Sequence, residues 1–124
     1  MIKTQLHIAV IDDDVSVRES LPDLLRQLGH AATAFGSAQE FLLSGPLTDF
    51  HCLILDIAMP GMSGPELRRE LLRQGRNYPV IFITAYPDAS ARSMLHQEGA
   101  VEVLIKPFSE EALLSALEAT LPVR

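Results

Sequence analysis

The sequence predicts an α/β protein, a (βα)5 chain whose five parallel strands form a doubly wound sheet in the order 2-1-3-4-5. Two observations carry that expectation. Short apolar runs alternate from end to end with amphipathic stretches, the pattern of successive βα units on a parallel sheet. Four of those runs release a chemically useful side chain at the C-terminal end, the edge where open α/β sheets bind ligands. Asp12 and Asp13 follow His7-Ile8-Ala9-Val10-Ile11, and Asp56 ends His51-Cys52-Leu53-Ile54-Leu55. Thr84 ends Pro79-Val80-Ile81-Phe82-Ile83, and Lys106 ends Val101-Glu102-Val103-Leu104-Ile105.

The first strand is read at about 6–11. Val17, Leu21, Leu24, Leu25 and Leu28 recur at helical spacing after it, with Gly29 placed to end the helix. Asp14 fits the cap of that helix. Pro22 lies inside it and costs on the order of 3 kcal/mol there, so a kink or a later start is expected. A weakly marked second strand covers 31–35. Ser37-Ala38-Gln39-Glu40 reads as a capping box opening a short helix that Gly45-Pro46 stops. The third strand, 52–55, exits through Met59-Pro60-Gly61-Met62-Ser63-Gly64, where Pro60 favours an extended Met59 and the two glycines tolerate unusual dihedrals. Ser63-Gly64-Pro65-Glu66 is a second capping box, and its helix buries Leu67 and Leu71, with Leu72 a further candidate, before ending near Gly75. A fourth strand, a helix over 89–98, a fifth strand and a helix from Ser109 complete the chain, with no repeat, low-complexity tract or linker.

The bulk numbers narrow the function. With 124 residues, 48% of them hydrophobic, the chain fits one domain, 1–124, able to bury its own core. A net charge of −6 argues against gripping nucleic acid through its phosphates. Arg68, Arg69, Arg73 and Arg76 are interleaved with Glu66 and Glu70, which reads as a solvated helix face. The four histidines show no metal-ligand spacing and read as surface or edge residues. The single Cys52 has no disulfide partner and reads as a small core residue in a reducing compartment. No apolar stretch approaches the roughly 18 residues of a membrane span, and no signal-peptide pattern opens the chain, so a cytoplasmic location is expected.

The strand-end residues define the chemistry. The order 2-1-3-4-5 makes the first and third strands neighbours and brings Asp12, Asp13 and Asp56 to the switch point. Crowded carboxylates repel one another, so the arrangement makes sense around a cation. All-oxygen ligation suits a hard ion, magnesium rather than zinc. A carboxylate attacking phosphorus forms an aspartyl phosphate, which a hydroxyl at Thr84 and the charge of Lys106 would stabilise. Singly, Thr84 could be an ordinary strand residue and Lys106 a snorkelling surface lysine. Together, four strand ends with complementary chemistry are a poor accident.

Val10-Ile11-Asp12-Asp13-Asp14, Asp56 with the Met59-to-Gly64 turn, Ile83-Thr84-Ala85 and Lys106-Pro107-Phe108 closely resemble the receiver domain of two-component response regulators. The resemblance covers essentially the whole chain and implies a flavodoxin-like fold. It implies that Asp56 accepts a phosphoryl group from a histidine kinase or phosphotransfer protein. Mg2+ would be held by Asp12, Asp13, Asp56 and the Ala58 backbone carbonyl, with Thr84 as switch hydroxyl and Lys106 contacting the phosphate. It also implies a cis Lys106-Pro107 bond, and a partner surface on the fourth helix, fifth strand and fifth helix through which a second copy could dock. Arg92, Met94 and His96 are candidates for that surface. Such a module catalyses its own phosphorylation and dephosphorylation and is not a metabolic enzyme.

The chain departs from that pattern at Val103, where an aromatic ring that swings inward is common, and valine cannot report the switch in that way. Ala58 and Tyr86 stand at positions that affect phosphoryl lifetime. Two alternatives stay open on the residues alone. One is a haloacid-dehalogenase-type hydrolase with Asp12 as nucleophile and Asp14 as acid/base. The other is a degenerate receiver that binds partners without phosphorylation. The end at Leu121-Pro122-Val123-Arg124 fits either a stand-alone receiver or one followed by an output domain. Local similarity of Gly99-Ala100-Val101-Glu102 and Lys106-Pro107-Phe108 to receivers preceding a helix-turn-helix domain favours the second.

Overall fold

Strands that read as continuous apolar runs need cover on both faces, and the chain supplies it with helices between successive strands. The computed structural model describes residues 5–44, 50–85, 89–97 and 99–121, with only the backbone of 89–92. Strands β1 (His7–Ile11), β2 (Ala31–Phe35), β3 (Cys52–Asp56), β4 (Val80–Thr84) and β5 (Glu102–Ile105) pair in parallel in the expected order β2-β1-β3-β4-β5. Between and after them run α1 (Val15–Gln27), α2 (Ala38–Leu43), α3 (Gly64–Arg73), α4 (Ala89–Gln97) and α5 (Glu110–Ala119).

Strand alternation divides each run between two cores. Ile8, Val10, Cys52, Ile54, Ile81, Ile83 and Leu104 pack with Leu21 and Leu25 of α1 and Leu113 and Leu117 of α5. Ala9, Ile11, Leu53, Leu55, Phe82 and Val103 pack with Phe41 of α2, Leu67 and Leu71 of α3 and Leu95 of α4. Full burial of one such side chain contributes roughly 1.5–3 kcal/mol. Burial pushes the Cys52 thiol up to about 12, against a smaller opposing effect of a hydrogen bond with Thr120.

The helix ends follow the caps. Asp14 Oδ1 accepts the Ser16 N–H at 2.9 Å, Ser63 Oγ accepts the Glu66 N–H at 3.2 Å, and Ser109 Oγ accepts the Ala112 N–H at 3.0 Å. Glu66 Oε1 completes the box at Ser63 by accepting that residue's N–H at 2.9 Å. The Ser37 box is only half formed. Ser37 Oγ accepts the Glu40 N–H at 3.0 Å, but Glu40 Oε2 reaches back one residue further, to the Gly36 N–H at 3.1 Å. The Gly45-Pro46 stop and Tyr86 lie outside the described residues.

Several expectations change. Helix α1 does not start late: it runs from Val15 through Pro22 as one element, and the buried Pro22 ring joins its apolar side. Leu72 is 41% exposed and leaves the core to Leu67 and Leu71. His30 is not a surface residue. It is buried, its Nδ1 accepts the Leu6 N–H at 3.0 Å, and burial lowers its pKa. Nor is the arginine cluster wholly solvated. Arg73 pairs with Glu70, but Arg76 lies 5.8 Å from the Phe41 ring centre and donates to the Tyr78 hydroxyl at 2.9 Å.

Candidate functional site

Register carries the strand-end residues to one place. Ile11 pairs with Leu55, so Asp12 and Asp56 leave neighbouring strands side by side. Asp56 pairs with Ile83 and Thr84 with Ile105, which sets Thr84 and then Lys106 along the same edge. Asp12, Asp56 and Thr84 are buried, which is unusual for such residues and marks the edge as built rather than incidental.

Asp12 is hydrogen-bonded at its N–H, its carbonyl and one carboxylate oxygen. Its N–H donates to Phe35 O at 3.1 Å, its Oδ1 accepts the Asp14 N–H at 2.9 Å, and its carbonyl accepts from Arg18 Nη1 at 3.0 Å. Lys106 Nζ stands 2.9 Å from Asp12 Oδ2 and 3.7 Å from Asp56 Oδ2. Beyond that ion pair, no hydrogen-bond donor among the described residues serves Asp12 Oδ2. Burial, then the neighbouring Asp12, push the Asp56 carboxyl up to about 7, with Lys106 pulling the other way. Burial disfavours the Lys106 ammonium, but Asp12, Asp56 and Asp14 outweigh it and its pKa rises.

Asp12, Asp13 and Asp56 each offer a carboxylate oxygen within 4.8 Å of the others, the one such group among the described residues. One lysine cannot neutralise three acids, and the sealed Asp12 Oδ2 has no partner but Lys106 among the described residues. The donor set therefore fits a hard divalent cation. Ala58 is exposed just beyond β3, and Lys106-Pro107 is cis as expected. Beside the cluster opens a cleft of about 640 Å³, whose lining includes Asp14, Val17, Leu21, Ala85, Lys106 and Phe108.

Two contributors escape sequence reasoning. Gly64 does not adopt an unusual dihedral; it is small because a β-carbon there would stand 2.4 Å from the Asp56 carbonyl oxygen. The signal was present in the Ser63-Gly64-Pro65 start of α3, but points to the helix and not to the strand behind it. Arg18 carries no such signal, since Arg26 on the same helix looks alike in sequence and bonds elsewhere, to Asp23 and the Ala32 carbonyl. Among the described residues, no helix is long and apolar enough to cross a membrane.

Known proteins share both sequence and fold. The chain is 40% identical over 116 residues to nodulation protein W of Bradyrhizobium diazoefficiens, covering 94% of this chain and 51% of that protein. It is 41% identical over 116 residues to the transcriptional regulatory protein FixJ of Azorhizobium caulinodans, covering 94% and 55%. The chain thus spans about half the length of the curated relatives it matches. The solved structure of FixJ-N superposes with a TM-score of 0.85 at 32% identity, covering 98% of this chain and 99% of that one. That of response regulator StyR gives 0.83 at 42% identity, covering 95% and 60%. The family model of the response regulator receiver domain matches residues 8–118. The chain belongs to the response regulator receiver domain family.

Proposed function

We propose that residues 1–124 form one phosphoacceptor module of a two-component pathway, in which Asp56 takes a phosphoryl group from a histidine kinase or phosphotransfer protein. The observation that carries this reading is Asp56 itself, buried at the end of β3 with two acids and a lysine around it. Its upward-shifted carboxyl favours the protonated, weakly nucleophilic form, so full ionisation near neutral pH calls for more positive charge than Lys106 provides. Asp12, Asp13, Asp56 and the Ala58 carbonyl would hold Mg2+, which when bound supplies that charge and screens an incoming phosphate.

The remaining work falls to the chain's own groups. An Asp56 carboxylate oxygen attacks phosphorus, the donor's phosphorus–nitrogen bond breaks, and the imidazole nitrogen leaves with the electron pair. Lys106, held beside Asp56 by its pair with Asp12, meets the charge on one phosphoryl oxygen. The Thr84 hydroxyl hydrogen-bonds another and shifts its loop toward the new charge. For output we propose the face formed by α4, β5 and α5, with a second copy of the chain as partner. Met94, 56% exposed on α4, supports a contact surface there. Val103 is buried against the same core as Phe82, so the switch acts without an aromatic ring at that position.

The hydrolase alternative finds no support. Asp14, its acid/base, is engaged as the α1 cap, and Asp56 would have no role. Intact mass after incubation with Mg2+ and a small acyl-phosphate donor tests the proposal. One added phosphoryl group on the wild type and none on Asp56→Asn is expected. An adduct that survives Asp56→Asn and disappears with Asp12→Asn would overturn it, and no adduct on folded wild type would favour the degenerate receiver.

A further inference from the structure

The backbone corner that carries Asp12 and Asp13 is held from outside the acid cluster. Arg18 reaches back from α1 to donate to the Asp12 carbonyl at 3.0 Å. Its guanidinium rests over Gly36, where a β-carbon would stand 3.3 Å from Arg18 Nη1 and 3.3 Å from Glu40 Oε2. Glu40 Oε2 is itself fixed by the Gly36 N–H at 3.1 Å. A cation from α1 and an anion from α2 therefore converge on a residue that leaves them room.

The Asp12 carbonyl belongs to the rigid peptide plane that joins Asp12 to Asp13. Holding it fixes ψ of Asp12 and φ of Asp13 together. The Asp12 carboxylate has its own restraints in the Asp14 N–H and Lys106, whereas Asp13 is exposed and lacks the packing that fixes Asp12. We infer that Arg18 is a positioning residue for the cation site, orienting the Asp13 carboxylate through the Asp12–Asp13 peptide from its seat between Gly36 and Glu40. This rests on reading Asp12, Asp13 and Asp56 as a Mg2+ site.

The sign of the effect separates positioning from charge. A guanidinium beside three acids repels a divalent cation, so removing it for charge alone tightens binding. Removing an orienting hydrogen bond behind a ligand loosens it, typically by 10-fold or somewhat more. The test is calorimetric titration of Mg2+ into wild type, Arg18→Ala, Arg18→Lys and Asp13→Asn, with thermal melts in chelator to confirm folding. Arg18→Ala is expected to bind about tenfold more weakly, with part of the loss recovered in Arg18→Lys, which keeps a donor. Equal or tighter binding by folded Arg18→Ala, while Asp13→Asn loses binding, overturns the proposal alone. Absence of saturable binding by the wild type overturns the cation reading and the proposal with it. If Arg18→Ala does not fold, Gly36→Ala decides, because its β-carbon crowds Nη1 without changing charge. Several-fold weaker binding then supports the proposal and unchanged binding overturns it.

Discussion

Lys106 Nζ sits closer to Asp12 than to Asp56, 2.9 Å against 3.7 Å. The lysine neutralises the acid sealed from water and stands beside the acid proposed to react. Its removal leaves Asp12 buried without a counter-charge, next to a second carboxylate. Losing one partner of a fully buried pair costs about 3–5 kcal/mol. Lys106 keeps 19% of its side chain exposed, so a smaller loss is expected, about 2 kcal/mol. Urea denaturation of Lys106→Met at pH 8 in chelator measures it. Added Mg2+ is expected to return part of the loss, and a variant as stable as wild type would contradict the pairing.

The raised Asp56 carboxyl gives the metal-free protein a definite pH dependence. Its value of about 7 when folded exceeds the ordinary 3.8, so the folded state binds the proton more tightly. The linkage therefore favours folding at low pH and is lost as pH rises from about 4 through about 7. Glu66 and Glu70 have lowered pKa values and act in the opposite sense, but both finish titrating in the acid range. The lowered His30 pKa also favours folding as pH rises and acts inside the neutral window, returning part of the Asp56 loss in wild type and variant alike. Between pH 5.5 and 8.5 in chelator, the wild-type melting temperature should fall by a few degrees. Asp56→Asn should flatten that slope and melt higher than wild type at pH 8. Identical slopes for the two proteins would remove Asp56 as the source.

Cys52 offers a probe of opening. Its thiol is fully buried and pushed up to about 12, so the reactive thiolate is scarce in the native state. Labelling with a thiol-specific disulfide reagent at pH 8 should be slower than a free thiol by several orders of magnitude and should track unfolding as urea is raised. Fast labelling of the native protein, insensitive to urea, would show that the α1–α5 core opens locally around β3.

What was legible in the sequence was whatever depends on a strand and its end. A run buried on both faces has one place to put a polar residue, its terminus, so Asp12, Asp56, Thr84 and Lys106 announced both the sheet edge and their own convergence. Contacts made by reach across elements were not legible. Glu40 bonds Gly36 rather than Ser37, a choice set by how the chain enters α2. His30 is buried because the loop after α1 turns its ring under Leu6 N–H, which no local pattern encodes. Pro22 does not delay the start of α1, because its burial among the helix's apolar residues offsets a propensity measured in isolated helices.

Gly64 binds the start of α3 to the end of β3 more tightly than any side chain would permit. Its N–H donates to the Ile57 carbonyl at 3.1 Å, and its α-carbon faces Asp56 so closely that a β-carbon would stand 2.4 Å from the Asp56 carbonyl oxygen and 3.2 Å from Phe82 Cε1. A backbone oxygen cannot swing aside as a flexible side chain can, so Gly64→Ala must move either α3 or the residue proposed to accept phosphate. The favourable helix propensity of alanine is worth about 1 kcal/mol and opposes the change only in part. Overpacking against backbone should leave a net loss of about 1–3 kcal/mol in urea denaturation. If the displacement falls on β3, phosphorylation by the acyl-phosphate donor should slow as well, while Gly75→Ala, which alters a glycine at the far end of α3 with a positive φ and open space around it, should cost stability and leave that rate unchanged. Equal phosphorylation rates for Gly64→Ala and wild type would place the displacement in the helix and leave the Asp56 carbonyl where it is.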